Sequence, residues 1–209
     1  MTDFQPYDIV GFDLDNTLFD QAQYEFSIFE EIAKEIELRY RLDTHSYFNA
    51  LKNVYYSGEK EHTFDKAMLQ CLSALPVNWE ETMVKVILPL YRNYTPTSLT
   101  LFEHSFPLLQ SLKQSRKKLF LITNGREKTQ NSKINILGIA SYFDLILISD
   151  SYKPPQRKPD TQMFKDALHY FNVTSEKMVY VGDDLVRDKA SEKVGIKFID
   201  IETLKRKYV

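Results

Sequence analysis

IVGFDLDNTLFD, residues 9–20, joins a short apolar run to a polar segment with aspartates at positions 13, 15 and 20. An apolar run this short, bounded by polar residues, reads as a strand covered on both faces. Asp13 and Asp15 then stand just beyond its carboxyl end. Four further apolar runs occupy residues 119–123, 145–149, 178–181 and 197–201. Helical patterns fill the gaps between these four, at 127–137 stopped by Gly138, at 161–171 opened by Pro159-Asp160, and at 185–194 stopped by Gly195. Strand alternating with helix predicts an α/β fold, a Rossmann-like parallel five-stranded sheet with helices on both faces.

The hundred or so residues between the first two runs lack a convincing strand. Phe26, Phe29, Ala33 and Ile36 recur at helical spacing, as do Phe64, Met68, Cys71 and Leu75. Asn78 and Glu81 make a capping-box signature ahead of Val84, Ile87 and Tyr91. The helix around Phe106, Leu109 and Leu112 belongs with the sheet. The organisation expected is a core of residues 1–18 and 98–209 with an all-helical insert of residues 19–97. The aromatics of the insert, among them Tyr24, Tyr40, Tyr47, Phe48, Tyr55 and Tyr56, read chiefly as its own core.

Composition narrows the partners. Lys plus Arg number 27 against 29 Asp plus Glu, a net charge of -2 with both signs scattered, so neither nucleic acid nor an anionic membrane is an expected partner. The basic stretches 116–118 and 205–207 read as solvated faces. One cysteine, Cys71, cannot form an internal disulfide and fits a helix core, as in a reducing compartment. Residues 1–7 lack the charged-then-apolar pattern of a leader, and no apolar run approaches the ~18 residues of a membrane span, which predicts a cytoplasmic protein. A chain of 209 residues buries about 70% of its unfolded surface, so a metal is expected for chemistry rather than for stability.

Open parallel sheets bind ligands beyond the carboxyl ends of their strands. Four polar clusters fall at such places: Asp13-Leu14-Asp15-Asn16-Thr17, Thr123-Asn124-Gly125, Arg157-Lys158-Pro159-Asp160 ahead of the fourth strand's helix, and Gly182-Asp183-Asp184 followed by Asp188. Each alone also fits a turn or a helix cap. Together, in this order, they point to one site.

With these four clusters the sequence resembles the haloacid dehalogenase-like superfamily over essentially its whole length, in particular its phosphatases with a helical cap inserted after the first motif. The resemblance implies a magnesium-dependent phosphatase that forms an aspartyl-phosphate on Asp13. Asp15 would protonate the leaving alcohol and then activate water, with Thr123 and Lys158 completing the catalytic set. Thr17, Asn124 and Gly125 would bind phosphate. Magnesium would be held by Asp13, the backbone carbonyl of Asp15, and Asp183, with Asp188 or Asp184 holding metal-bound water. The implied substrate is a small phosphorylated metabolite, a nucleoside monophosphate or a sugar phosphate. A phosphomutase would use the same intermediate, and a non-enzymatic module on this scaffold would lack one of the catalytic groups, all of which are present.

Gln130, Lys133 and Phe143 resemble the nucleotidase-like and sugar-phosphatase branches of the family. The proline-rich 153–156 segment and Lys189-Ala190 depart from its usual pattern, and Asp20 reads as a helix cap. A closing cap would hinge near Leu18 and residues 95–98. The implied chemistry meets a physical need, because a phosphate dianion repels an attacking carboxylate and the site must supply cations and donors first.

Overall fold

The computed structural model describes residues 2–41, 48–49, 51–53 and 78–208. The chain divides into two compact units, Met1–Gln21 with Thr97–Val209, and Ala22–Pro96. Residues 19–21 belong with the first unit because Phe19 bridges to Asp15 and to Leu101, and the Gln21 amide donates to Asn16 Oδ1 at 3.1 Å.

In the first unit the strands are β1 (Ile9–Phe12), β2 (Lys118–Thr123), β3 (Leu145–Ile148), β4 (Met178–Gly182) and β5 (Lys197–Asp200). All pair in parallel, in the order β3-β2-β1-β4-β5. The chain steps outward from β1 to β2 and β3, then returns to the other side of β1 with β4. That reversal opens a crevice beyond the carboxyl ends of β1 and β4, where an open α/β sheet takes its ligand.

The apolar runs become strands because both faces of the sheet are covered. Ile9, Phe120, Ile122, Met178, Tyr180 and Phe198 join Met163, Phe164 and Ala167 of the helix Gln162–Phe171 in one buried cluster. The cluster depends on Gly11, since a Cβ there would lie 2.2 Å from the Phe120 ring. That helix ends at Asn172 in a left-handed conformation, φ 52°. The other helices of this unit are Ser105–Gln114, Glu127–Ile136 and Ile201–Tyr208.

The regular elements described in the second unit are helical, with α1 (Ala22–Tyr40), α2 (Trp79–Thr82) and α3 (Leu88–Asn93), the last two joined by the π-helical turn Met83–Ile87. Helix α1 buries Tyr24, Ile28, Phe29, Ile32, Ala33 and Ile36, while Phe26 is half-buried against Phe29. Tyr40 reaches Thr82 through a 2.8 Å hydroxyl contact. Asn78 Oδ1 accepts from the Glu81 amide at 3.1 Å, the expected cap, and the Glu81 carboxylate pairs with Lys85.

Two readings of pattern are corrected. Val84, expected on the same face as Ile87, is exposed, because the wider π-turn shifts the register and brings Val86 inward beside Ile87, which is buried as expected. The helix expected at 185–194 begins only at Asp188 and is of the 3-10 type. Asp184 Oδ1 accepts from the Val186 and Arg187 amides at 2.8 and 2.9 Å, which holds the preceding residues as a turn with Leu185 and Val186 in solvent. Phe64, Met68, Cys71, Leu75, Tyr47, Tyr55 and Tyr56 lie outside the described residues. Among the described residues no helix is long and apolar enough to cross a membrane.

Candidate active site

The ladder of β1 runs one residue past the strand, with the Asp13 amide donating to Val181 O at 2.9 Å. This fixes Asp13 at the mouth of the crevice, its side chain almost wholly buried. The ammonium of Lys158, also buried, has four acceptors for its three protons: Asp13 Oδ1 at 2.7 Å, Asp188 Oδ1 at 2.5 Å, Tyr180 Oη at 3.0 Å and Ile122 O at 3.1 Å. Tyr180 in turn donates to Ile122 O at 2.8 Å. The backbone of Lys158 is clamped from β2's end, because Asn124 Oδ1 accepts from its amide at 2.8 Å and Asn124 Nδ2 donates to its carbonyl at 2.9 Å. A loop lysine therefore reaches the strand ends on a fixed base.

Asp13, Asp183 and Asp188 each present a carboxylate oxygen within 4.8 Å of the others. The approach of Asp188 requires glycine at the end of β4, since a Cβ on Gly182 would lie 2.2 Å from Asp188 Oδ2. That oxygen accepts from the Asp184 amide at 3.0 Å. Burial pushes the Asp13 carboxyl well above the ordinary carboxylate range, Lys158 opposes this, and Asp188 and Asp15 add to it. Burial also works against the Lys158 charge, but Asp13 and Asp188 outweigh it and hold the ammonium protonated well above the usual range. One lysine thus pairs with two buried acids. An all-oxygen, net-negative donor set of this kind fits a hard divalent cation.

Asp15 is held separately. Its Oδ1 accepts from Lys133 Nζ at 2.7 Å and its Oδ2 from Gln130 Nε2 at 2.8 Å, and the same Gln130 amide lies 2.6 Å from Thr123 Oγ1. Thr17 is fully buried, and its hydroxyl has no hydrogen-bond partner among the described residues. The Gly125 amide donates to Ser149 Oγ at 2.9 Å, Ser149 donates to Asp150 at 2.7 Å, and Arg157 grips Asp150 through two contacts of 2.9 and 2.6 Å.

The structure thus brings Asp13, Lys158, Asp183 and Asp188 into one cluster and Asp15 and Thr123 into a second. Asn124 and Gly125 brace the lysine and Ser149. Sequence reasoning gave no role to Tyr180, which reads as an ordinary strand residue between Val179 and Val181. It noted Gln130 and Lys133 only as family features, although their spacing of three places both on one helix face.

A family model described as haloacid dehalogenase-like hydrolase matches residues 10–201. The chain is 27% identical over 199 residues to the glyceraldehyde 3-phosphate phosphatase of Methanocaldococcus jannaschii, covering 94% of this chain and 85% of the relative. It is 24% identical over 193 residues to the phosphoglycolate phosphatase of Aquifex aeolicus, covering 90% and 82%. Among solved structures it resembles a hydrolase of Bacillus subtilis bound to magnesium, with a TM-score of 0.62 at 18% identity, over 92% of this chain and 85% of that one.

Proposed function

The chain belongs to the haloacid dehalogenase-like hydrolases, and on that premise we propose that it is a magnesium-dependent phosphatase of small phosphate monoesters that works through a phosphorylated Asp13. The observation that carries this reading is the single buried ammonium of Lys158 placed between Asp13 and Asp188, within a trio of acids that fits a divalent cation. Asp13, Asp183 and the Asp15 carbonyl, with Asp188 beside them, would hold a magnesium ion, which would supply positive charge against the phosphoryl oxygens.

The protein's own groups carry the steps. Lys158 offsets the charge of the phosphate and orients Asp13, whose oxygen attacks phosphorus as the bond to the leaving oxygen breaks. Asp15 gives that oxygen its proton, then takes one from the water that attacks the phosphoaspartate, releasing inorganic phosphate and regenerating Asp13. Thr123 donates to a phosphoryl oxygen. A second carboxyl at position 15 is what separates this chemistry from halide expulsion, which needs no proton donor.

Glyceraldehyde 3-phosphate and phosphoglycolate, the substrates in the relatives' names, support a small sugar phosphate or related ester, with nucleoside monophosphates as the alternative. The test is a screen of phosphorylated metabolites for phosphate release, with magnesium and after chelation, and mass spectrometry of rapidly quenched enzyme. Phosphate on Asp13 and activity that needs metal are expected. Full activity after exhaustive chelation, phosphate on another residue, or release only in the presence of a sugar bisphosphate would overturn it.

A further inference from the structure

We propose that Lys133 is a positioning residue for Asp15, acting with Gln130 to aim the carboxylate that handles the proton, an inference that rests on the phosphatase reading above. Asp15 lies on the loop beyond β1, next to Asn16 at φ 59°, so no regular element fixes its side chain. Both of its oxygens are nonetheless engaged, at 2.7 and 2.8 Å, by two side chains of one helix, Glu127–Ile136. Lys133 and Gln130 are themselves buried. Gln130 ties the same carboxylate to Thr123 at the end of β2, so the two loops share one brace.

Stability alone does not explain a lysine there. Burying an ammonium costs several kcal/mol before its pairing is counted, and an apolar side chain of similar length commonly does as well. What an apolar residue cannot do is hold a carboxylate in one direction. A catalytic group displaced by about 1 Å can lose on the order of 10²-fold in rate, so the brace matters to the steps that use Asp15 and to no others. Those steps are protonation of an alkyl leaving group and deprotonation of the attacking water. Attack of Asp13 on an aryl phosphate, whose phenolate leaves unaided, does not use it.

The experiment compares Lys133→Met with the wild-type protein on an alkyl and an aryl phosphate in magnesium, by steady-state and rapid-quench kinetics. Expected for the variant are a kcat on the alkyl ester reduced about 10- to 100-fold, a KM within a few-fold of wild type, and an initial burst of phosphoenzyme from the aryl ester that is nearly unchanged. In an Asp15→Asn background, adding Lys133→Met should cost less than about 2-fold more, since residues acting as a unit are not additive. A phosphoenzyme burst from the aryl ester slowed as much as turnover of the alkyl ester, or losses that multiply in the double variant, would overturn the positioning role. Lys133→Leu, which likewise has no donor and buries no charge, gives the same pattern should Lys133→Met not fold. Wild-type protein that hydrolyses neither ester would overturn the phosphatase reading itself, a result separable from either pattern in the variants.

Discussion

Two clusters of lysine and aspartate sit at opposite ends of the same sheet. At the amino ends of β2 and β3, Asp144 accepts from Lys113 and Lys118, each at 3.0 Å, and from the Leu119 amide at 2.9 Å. At the carboxyl ends of β1 and β4, Lys158 lies among Asp13, Asp188 and Asp183. In the first cluster one acid has two cations and a backbone donor, at the protein surface. In the second, one buried cation is outnumbered by acids. A fold gains little from crowding buried carboxylates, and under the proposed function the cost of doing so marks the place where a cation and a phosphate would be received.

The largest effects should therefore come from the acid-rich end and appear in activity rather than stability. Asp13→Asn removes the nucleophile, and turnover should fall by at least about 10⁴-fold with no phosphoenzyme. Its thermal midpoint without metal should match or exceed wild type, because one of the crowded acids becomes neutral. A large loss of stability would mean that the two ends of the sheet do not differ as described. Asp15→Asn should reduce turnover of an alkyl ester about 10²- to 10⁴-fold while an aryl phosphate still labels Asp13, so that phosphoenzyme accumulates. Wild-type-like turnover of the alkyl ester would remove Asp15 from the proton-handling role.

Metal should act at one end only. Magnesium at about 100 times its dissociation constant would stabilise the fold by about 2.7 kcal/mol, which scanning calorimetry with and without chelator would read. Asp183→Asn should suppress that shift, and Asp144→Asn should leave it intact. An equal magnesium shift in wild type and Asp183→Asn would disconnect the acid trio from metal binding.

The same contrast explains what the sequence disclosed. All five strands stand where the apolar runs predict, with ends off by a residue or so, because burial on both faces leaves a compositional trace. Ser149 and Ile201, read as strand ends, instead open the next helical turns. Strand order left no trace, since it depends on where each crossover packs. The 3-10 segment at Asp188 was misread as a longer helix because Leu185 and Val186 imitate its apolar period while Asp184 diverts the backbone. In the site, the residues beyond strand ends were legible as polar interruptions. The Asn124 clamp, the Tyr180 hydroxyl and the Gln130–Lys133 brace were not, because they are made by contacts between segments distant in the chain.

The smallest effect belongs to the balanced cluster. Burial tends to raise the Asp144 pKa, but the Leu119 amide, Lys118 and Lys113 together hold it below the ordinary range. A carboxyl lowered in the folded state contributes stability above its unfolded pKa of about 3.9, and that contribution is lost as pH falls through the lower folded value. Asp144→Asn keeps an oxygen for the Leu119 amide and removes only the charge. With solvent screening allowed for, and with Lys118 largely exposed, the loss at pH 7 should be about 1 kcal/mol, or roughly 2–4 °C in thermal midpoint for a chain of this size. Since asparagine does not titrate, the two proteins should converge as pH drops below the unfolded carboxylate value, and added salt at pH 7 should narrow the gap in the same direction. Phosphatase activity at pH 7 should be unchanged. Thermal melts of both proteins across pH 3–7 decide it: a gap that persists undiminished in acid would show that Asp144 acts through packing or hydrogen bonding rather than charge, and a loss of activity would mean that the amino-end cluster is coupled to the site after all.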